Sequence, residues 1–192
     1  MEEYLKYKWF FTSSGKLVVG GKNASQNDEL IKELKKEGHE RIVMHTSSPG
    51  SPFSCIVAAP EEVSKKDRIE CAIFTASFSK AWKSGKENEI IDIFRLTQLT
   101  KRSGMSQGTW GVNGPVEKIS APLLLVLTRQ KGILRAVPEQ SVKSKKEILV
   151  KFVPGSIDKQ DILPKLEIEI GKLPHKEEIL AALPAGGMRL VK

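Results

Sequence analysis

The chain of 192 residues lacks the patterns that identify most metal, redox and membrane proteins. It has only two cysteines and three histidines, with no Cys-x-x-Cys pair and no histidine cluster, so no metal site is indicated. No apolar run reaches the roughly 18 residues that a membrane-spanning helix requires. The charged N-terminus has no apolar secretory core, so we expect a cytoplasmic protein without a membrane partner.

The cysteines and the catalytic motifs argue against two further classes of protein, disulfide or metal proteins and enzymes. Cys55 and Cys71 lie in apolar stretches typical of a strand and a helix, so we interpret them as small buried side chains rather than a disulfide or metal pair. The motifs His-Glu-x-x-His and Gly-x-x-x-x-Gly-Lys are absent. The letters Gly-x-Ser-x-Gly occur once, at Gly104 to Gly108, but in a polar basic loop without the strand-turn-helix frame of a nucleophile elbow. The sequence therefore disfavours an enzyme, and we expect no cofactor.

Positive charge is concentrated in one third of the chain. Residues 80–146 carry 13 Lys/Arg against 5 Asp/Glu, whereas residues 1–79 carry 11 of each and residues 147–192 carry 7 of each. A general solubilising bias would spread along the chain. The local excess therefore favours a phosphate-rich partner, which means a nucleic acid.

A glycine-rich turn follows the first predicted hairpin. Gly20-Gly21 leads into Lys22 and Asn23, and either Asn23 or Ser25 is suited to cap a helix over residues 24–37. A glycine bend at a helix start beside a lysine is able to hold a phosphate. The same pattern is also ordinary turn geometry, so both interpretations stay open at this point.

The remaining periodicity predicts an α+β (mixed α/β) fold with a central mixed β-sheet and a few packed helices. We expect a main domain over residues 1–146 and a small αβ unit over residues 147–192 docked on it. Asn113-Gly114 predicts a hairpin turn, and Trp82 suits either core packing or base stacking. The predicted strands cover residues 9–11, 16–19, 41–45, 53–59, 89–96, 123–127, 133–137, 148–153 and about 168–170. The predicted helices cover 24–37, 157–166 and 174–183, with the main helix within 61–82. Gly38 is placed to end the first helix, and Ser64, with Asp67 three residues on, is placed to cap the main helix.

Three blocks, in this order along the chain, resemble the NFACT-R domain, the RNA-binding module of ribosome-associated quality-control factors. The resemblance covers residues 4–145, and it departs from the family at Ser47 (often Asp), at Met105 (more usually acidic) and at Pro115-Val116-Glu117 (often basic). The residues that carry it are Trp9-Phe10, Gly15, Leu17-Val18-Val19, Gly20-Gly21-Lys22-Asn23-Ala24 and Asn27; then His45, Gly50 and Ser51; then Ser79, Ala81 and Trp82.

The resemblance implies a protein that binds RNA, either tRNA or rRNA, with the large ribosomal subunit as a further expected partner. No sustained heptad pattern is present, so we expect a standalone form of the module. The candidate RNA-binding residues, from the resemblance and the basic third together, are Trp9, Gly20, Gly21, Lys22, Asn23, Asn27, His45, Ser47, Gly50, Ser51, Ser79, Trp82, Lys83, Lys86, Lys101, Arg102, Ser103 and Arg129.

Two other hypotheses remain open from the sequence. The first is an RNA-modifying or RNA-processing enzyme with His45 as base and a serine of the 46–51 loop as its partner. The second is a ribosome-associated adaptor that contacts other proteins through residues 147–192.

Overall fold

The computed structural model describes residues 3–171 and 175–191. The helices are α1 (Ala24–Glu37), α2 (Lys65–Ser77), α3 (Lys80–Lys83), α4 (Leu163–Ile170) and α5 (Lys176–Ala182). The strands are β1 (Lys8–Phe11), β2 (Leu17–Gly20), β3 (Ile42–Thr46), β4 (Ser54–Ile56), β5 (Asn88–Arg95), β6 (Leu99–Thr100), β7 (Gly111–Val112), β8 (Glu117–Pro122), β9 (Leu125–Gln130), β10 (Ile133–Val137), β11 (Val150–Ile157) and β12 (Met188–Val191).

Two sheets and a short ladder organise these strands. The larger sheet has the order β1-β2-β4-β3-β5-β8, the smaller has β10-β9-β11-β12, and β6 pairs with β7. The predicted α+β class is confirmed. Within the described ranges every strand pair is antiparallel, so the expectation of a mixed sheet was wrong in that detail.

The larger sheet separates two apolar cores because neighbouring side chains on a strand point to opposite faces. On β1, Trp9 packs with the α1 residues Leu30 and Leu34, whereas Phe10 packs with the α2 side. The Phe10 and Phe74 ring centroids lie 4.8 Å apart. Helix α1 therefore covers one face of the sheet, and α2 covers the other.

The helix ends follow the sequence where capping residues are present. Helix α1 begins after Asn23, whose side chain accepts the Gln26 N–H, and ends at Gly38 in a left-handed conformation. Ser64 and Asp67 form the reciprocal bonds of a capping box at the start of α2. These predicted boundaries are confirmed, as is the burial of both cysteines as free thiols.

The prediction of one unbroken helix up to residue 82 was wrong, because the chain forms two helices there. Helix α2 ends at Phe78, and the Ser79 hydroxyl then caps α3 by accepting the Ala81 N–H at 3.1 Å. The Lys80 N–H donates to the Gly50 carbonyl at 2.8 Å, which fixes the new direction of the chain. Local capping by a serine therefore overrides a continuous apolar stripe.

Several other sequence expectations differ from the structure. Asn113-Gly114 is no hairpin turn, since the preceding β7 pairs with β6 and the following β8 pairs with β5. Ile168 and Ile170 lie in α4 rather than in a strand. The helix predicted over residues 157–166 begins only at Leu163, because Ile157 ends β11 and Pro164 is suited to the first turn of α4, where its missing N–H costs no helical bond. The predicted helix start at Pro174 lies outside the described residues.

Strands from both sides of residue 146 share the smaller sheet. Lys151 of β11 pairs with Val126 of β9, and β11 also pairs with β12. The predicted domain boundary between residues 146 and 147 stays a prediction, and it would separate two paired strands, β9 and β11. Among the described residues, no helix combines the length and the apolar character needed to cross a membrane.

Candidate functional site

A cleft of about 490 Å³ lies at the N-terminal end of α1. Three segments line it: residues 21–27 at the start of the helix, residues 45–53 after β3, and residues 107–112 before and within β7. Of the predicted site residues, the cleft brings together Gly21, Lys22, Asn23, Asn27, His45, Ser47, Gly50 and Ser51.

Asn27 holds two of these segments together. It is buried, its Nδ2 donates to the Ser51 carbonyl at 3.4 Å, and its Oδ1 accepts the Phe53 N–H at 3.1 Å. A Cβ atom on Gly21 would lie only 2.2 Å from Asn27 Oδ1. The glycine is therefore required by close packing against Asn27, and this contact sets the shape of the cleft.

The first turn of α1 presents free backbone donors beside the cleft. Asn23 Oδ1 accepts the Gln26 N–H at 2.9 Å, and the Lys22 N–H donates to Gln26 Oε1 at 3.0 Å. The N–H groups of Ala24 and Ser25 donate to no acceptor within the described parts of the chain. Free amides and the positive end of the helix dipole favour an anion at this position.

His45 lines the cleft as a neutral side chain. Its Nδ1 donates to the Thr46 carbonyl at 2.7 Å, which leaves Nε2 as an acceptor, and its ring packs 4.6 Å from that of Phe53. Burial lowers the pKa of His45 below its ordinary value, and the Thr46 carbonyl and the Asp92 carboxylate offset only part of that shift. No hydroxyl of residues 46–51 bonds to the imidazole, so the enzyme hypothesis has no paired nucleophile and base here.

Ser51 and Gly50 shape the 45–53 loop. The Ser51 hydroxyl accepts the Thr46 N–H at 3.0 Å and donates to the Pro52 carbonyl at 3.0 Å. Gly50 has a φ of +112°, and a Cβ atom there would meet the Lys80 side chain at 2.4 Å. Ser51 and Gly50 therefore hold the conformation of the loop, and the Ser51 hydroxyl is already bonded within the protein.

Ser47 is part of an exposed polar triad that sequence reasoning missed. Its hydroxyl donates to Asp92 Oδ1, while Lys118 Nζ lies 2.5 Å from Asp92 Oδ1 and 3.0 Å from Ser47 Oγ. Asp92 lies in β5, Lys118 lies in β8, and Ser47 directly follows β3; these strands are adjacent only in the folded sheet. No local sequence pattern joins them.

Asp28 fastens the 101–110 loop onto α1. Lys101 Nζ lies 3.1 Å from Asp28 Oδ1, and Trp110 Nε1 donates to the same oxygen at 2.8 Å. Burial alone would raise the pKa of Asp28, yet hydrogen bonds from the Gly108 backbone, Lys101 and Trp110 hold it below its ordinary value. Lys101 also donates to the Ser106 and Thr109 carbonyls, so its ammonium is fully used within the protein.

The three tryptophans differ in their access to solvent. Trp9 and Trp82 are each 1% exposed, and Trp82 Nε1 donates to the Gly187 carbonyl at 3.0 Å. Neither ring has a free face for stacking. Trp110 is only half-buried and lines the cleft. Trp110 was not among the predicted site residues, although an aromatic residue between glycines in a polar loop is a signal that could have found it.

The other predicted residues lie away from the cleft. Gly20 and Ser79 are buried, with Ser79 capping α3. Lys86 pairs with Glu89 at 2.8 Å and Arg129 with Glu178 at 3.3 Å, whereas Lys83, Arg102 and Ser103 are exposed. Two of the predicted cations of the basic third are therefore already paired with carboxylates, and none of these residues lines the cleft.

Two lysines from the first third of the chain line the cleft instead. Lys22 is exposed, whereas Lys8 is half-buried with its Nζ 4.2 Å from the Phe78 ring centroid. Burial lowers the pKa of Lys8 to about 8, helped by the nearby charges of Lys159, Lys22 and Arg135. The alternation of β1 gave a signal for Lys8, because it shares the inward face with Phe10. Within the described residues, no group of three His, Cys, Asp or Glu side chains is placed to hold a metal ion.

A family model described as the NFACT protein RNA binding domain matches residues 6–114. Every residue that lines the cleft lies within this matched region. The chain is similar to the archaeal Rqc2 homolog aRqcH of Methanocaldococcus jannaschii, with 32% identity over a 203-residue alignment that covers 98% of this chain and 29% of that protein.

Two further similarities extend this comparison. A ribosome quality control complex subunit NEMF homolog of Drosophila melanogaster is 33% identical over 79 residues, which is 40% of this chain and 8% of that protein. The solved C-terminal part of the fibronectin/fibrinogen-binding protein from Streptococcus suis matches with a TM-score of 0.54 at 23% identity, over 61% of this chain and 45% of that one. The last match concerns the fold alone, and this chain spans less than a third of either curated relative.

Proposed function

Because this chain belongs to the NFACT protein RNA-binding domain family, we propose that it binds RNA in the cleft at the start of α1. The observation that carries the proposal is the set of groups gathered there. Free amides of the first helical turn, the exposed Lys22, the neutral His45 and the half-buried Trp110 line one cleft. Together they supply an anion site, hydrogen bonds and an aromatic surface, which RNA recognition uses in combination.

The roles divide between the phosphate and the base. Lys22 and the Ala24 and Ser25 amides would contact a phosphate, since these groups are cationic or donor-only. His45 Nε2 would accept a hydrogen bond from a base or a ribose hydroxyl, because Nδ1 is already bonded to Thr46. The exposed Lys83 and Arg102 would add long-range attraction without setting the register.

The proposed RNA is a structured molecule of translation, either tRNA or rRNA. The support for this is indirect: the relatives are named as an Rqc2 homolog and as a subunit of a ribosome quality control complex. We therefore also propose a ribosome-associated role in quality control, in the cytoplasm.

Cross-linking tests where and what the protein binds. The full chain is irradiated with total cellular RNA, and both the RNA and the attached peptides are identified. We expect tRNA or rRNA joined to peptides that contain residues 21–27, 45–53 or 107–112. Cross-links confined to residues 147–191, or recovery of protein partners that survive nuclease without RNA, would overturn the proposal in favour of an adaptor.

A further inference from the structure

A second cavity of about 450 Å³ adjoins the cleft. Lys8, Lys22 and Phe78 line both, so the two spaces are neighbours that meet at these side chains. The second cavity is also lined by Arg135 of β10, by Lys159 in the turn after β11, and by the end of α5. All three of these parts lie outside residues 6–114, the region that the family model matches.

Four cations line this cationic cavity: Lys8, Lys22, Arg135 and Lys159. Among the described residues, none that lines it is an Asp or a Glu, and none of the four cations is within ion-pair distance of a carboxylate. The Glu178 carboxylate partly offsets the lowered pKa of Arg135, but Glu178 Oε1 already accepts bonds from Arg129 and the Leu134 N–H. The cluster therefore carries uncompensated positive charge.

Buried donors without acceptors mark the same cavity. The Arg135 guanidinium lies 4.2 Å over the Trp9 ring, and both Arg135 Nε and Trp9 Nε1 are buried without a hydrogen-bond partner in the described structure. Burial lowers the pKa values of Lys8, Arg135 and Lys159, and the mutual repulsion of the cations adds to this for Lys8. Three half-buried cations beside the exposed Lys22 repel one another, and an anion would relieve that repulsion and accept bonds from the unpaired donors.

The rest of the lining is apolar. Phe74 of α2 and Phe78, which follows its last residue, contribute aromatic rings. Leu180, Leu183 and Ala185 contribute aliphatic surface from α5 and the turn after it. A ligand that matches both halves has a phosphate and a flat apolar group, which describes a nucleotide. The volume also lies in the range of about 300–1,000 Å³ that is usual for small-ligand sites.

We propose that the cationic cavity binds the phosphate-bearing terminal nucleotide of an RNA strand that lies in the cleft. The phosphate contacts Lys8, Lys22, Arg135 and Lys159, and the base lies against the apolar wall. This inference rests on the proposed function, since the cleft delivers the strand. It adds a preference for a free RNA end that the cleft alone does not supply.

Matched RNAs test the inference on the full chain. One short single-stranded RNA is prepared with a 5′ phosphate, with a 3′ phosphate, with hydroxyls at both ends, and as a circle. We expect one phosphorylated form to bind about tenfold more tightly than the hydroxyl-ended and circular forms. Lys159→Gln should remove this difference while leaving the affinity for the hydroxyl-ended form unchanged. Lys165→Gln, at an exposed lysine of α4, serves as the matched control and should retain the difference.

Each outcome decides between the alternatives. Equal affinity for all four RNAs, or a difference that persists in Lys159→Gln, would overturn the inference but leave RNA binding intact. A free mononucleotide that binds as tightly as the phosphorylated RNA would also overturn it, because the site would then serve a small molecule. Absence of binding to every RNA would instead remove the proposed function itself.

Discussion

Lys101 Nζ lies 3.1 Å from Asp28 Oδ1, and this ion pair joins the 101–110 loop to helix α1. The Asp28 side chain is 13% exposed and that of Lys101 is 25% exposed, so the pair is shielded from water on most sides. From the sequence, Lys101 and Arg102 appeared to be equivalent contacts for RNA. In the fold, Lys101 is structural, whereas the adjacent Arg102 is exposed.

Lys101→Met is therefore expected to lower the free energy of unfolding by about 1–3 kcal/mol, because it leaves Asp28 charged without its partner. Chemical denaturation measures this directly. Arg102→Met is the matched control and should change stability by less than about 0.5 kcal/mol. Equal stability of the two variants would show that the ion pair does not hold the loop.

Gly21→Ala should destabilise the protein by about 1–3 kcal/mol, because the new Cβ atom would overlap Asn27 Oδ1. Gly20→Ala is a matched comparison, since its nearest contacts would be 3.2 Å and 3.3 Å. We expect a smaller effect there in the same thermal unfolding experiment. If Gly20→Ala were the more damaging change, the packing of Asn27 against Gly21 could not be the determinant of the turn.

Lys8→Met should stabilise the protein at pH 7 by about 1–3 kcal/mol while weakening its affinity for RNA. The folded pKa of about 8 lies below the ordinary 10.5, so the folded state pays to keep this lysine charged at neutral pH. Between these two values the unfolded chain binds the proton and the folded chain does not. Wild-type stability should therefore rise relative to the variant across that interval.

Two results would contradict the Lys8 prediction. Denaturation curves at several pH values between 7 and about 10.5 would compare the two proteins. A variant that is less stable than wild type at pH 7 would show that Lys8 contributes packing or bonds that outweigh its buried charge. Unchanged RNA affinity would remove Lys8 from the binding site.

His45 should titrate below its ordinary value of 6.5, as followed by its imidazole NMR signals. As the pH falls below 6.5 the unfolded chain takes up the proton first, so stability should decline until the folded pKa is reached. His45→Gln should abolish that part of the pH dependence. A midpoint at or above 6.5 would mean that the imidazole is charged in the cleft.

Much of the fold is visible in the sequence because the signals are local. The bounds of α1 follow from Asn23 and Gly38, and the start of α2 follows from Ser64 and Asp67. The break between α2 and α3 was missed, because its cause is a contact from Lys80 to the distant Gly50. Capping acts over three or four residues, whereas such contacts depend on the finished fold.

The candidate site divides in the same way. Gly21, Asn27 and His45 were recognised from motif blocks, and the structure places them around one cleft. The distribution of charge along the sequence was a poorer guide to the site, because Lys101 forms an ion pair with Asp28 and Lys86 forms one with Glu89. Composition counts cations, but only the fold shows which of them are already paired.

The most direct test of RNA binding in the cleft is the affinity for purified tRNA across a salt series, for wild type and Lys22→Gln. The logarithm of the association constant should fall linearly with the logarithm of the salt concentration, because phosphate contacts release counterions. Lys22→Gln should weaken binding and reduce the slope by about one. An affinity that does not respond to salt, or a slope unchanged by the substitution, would contradict the account.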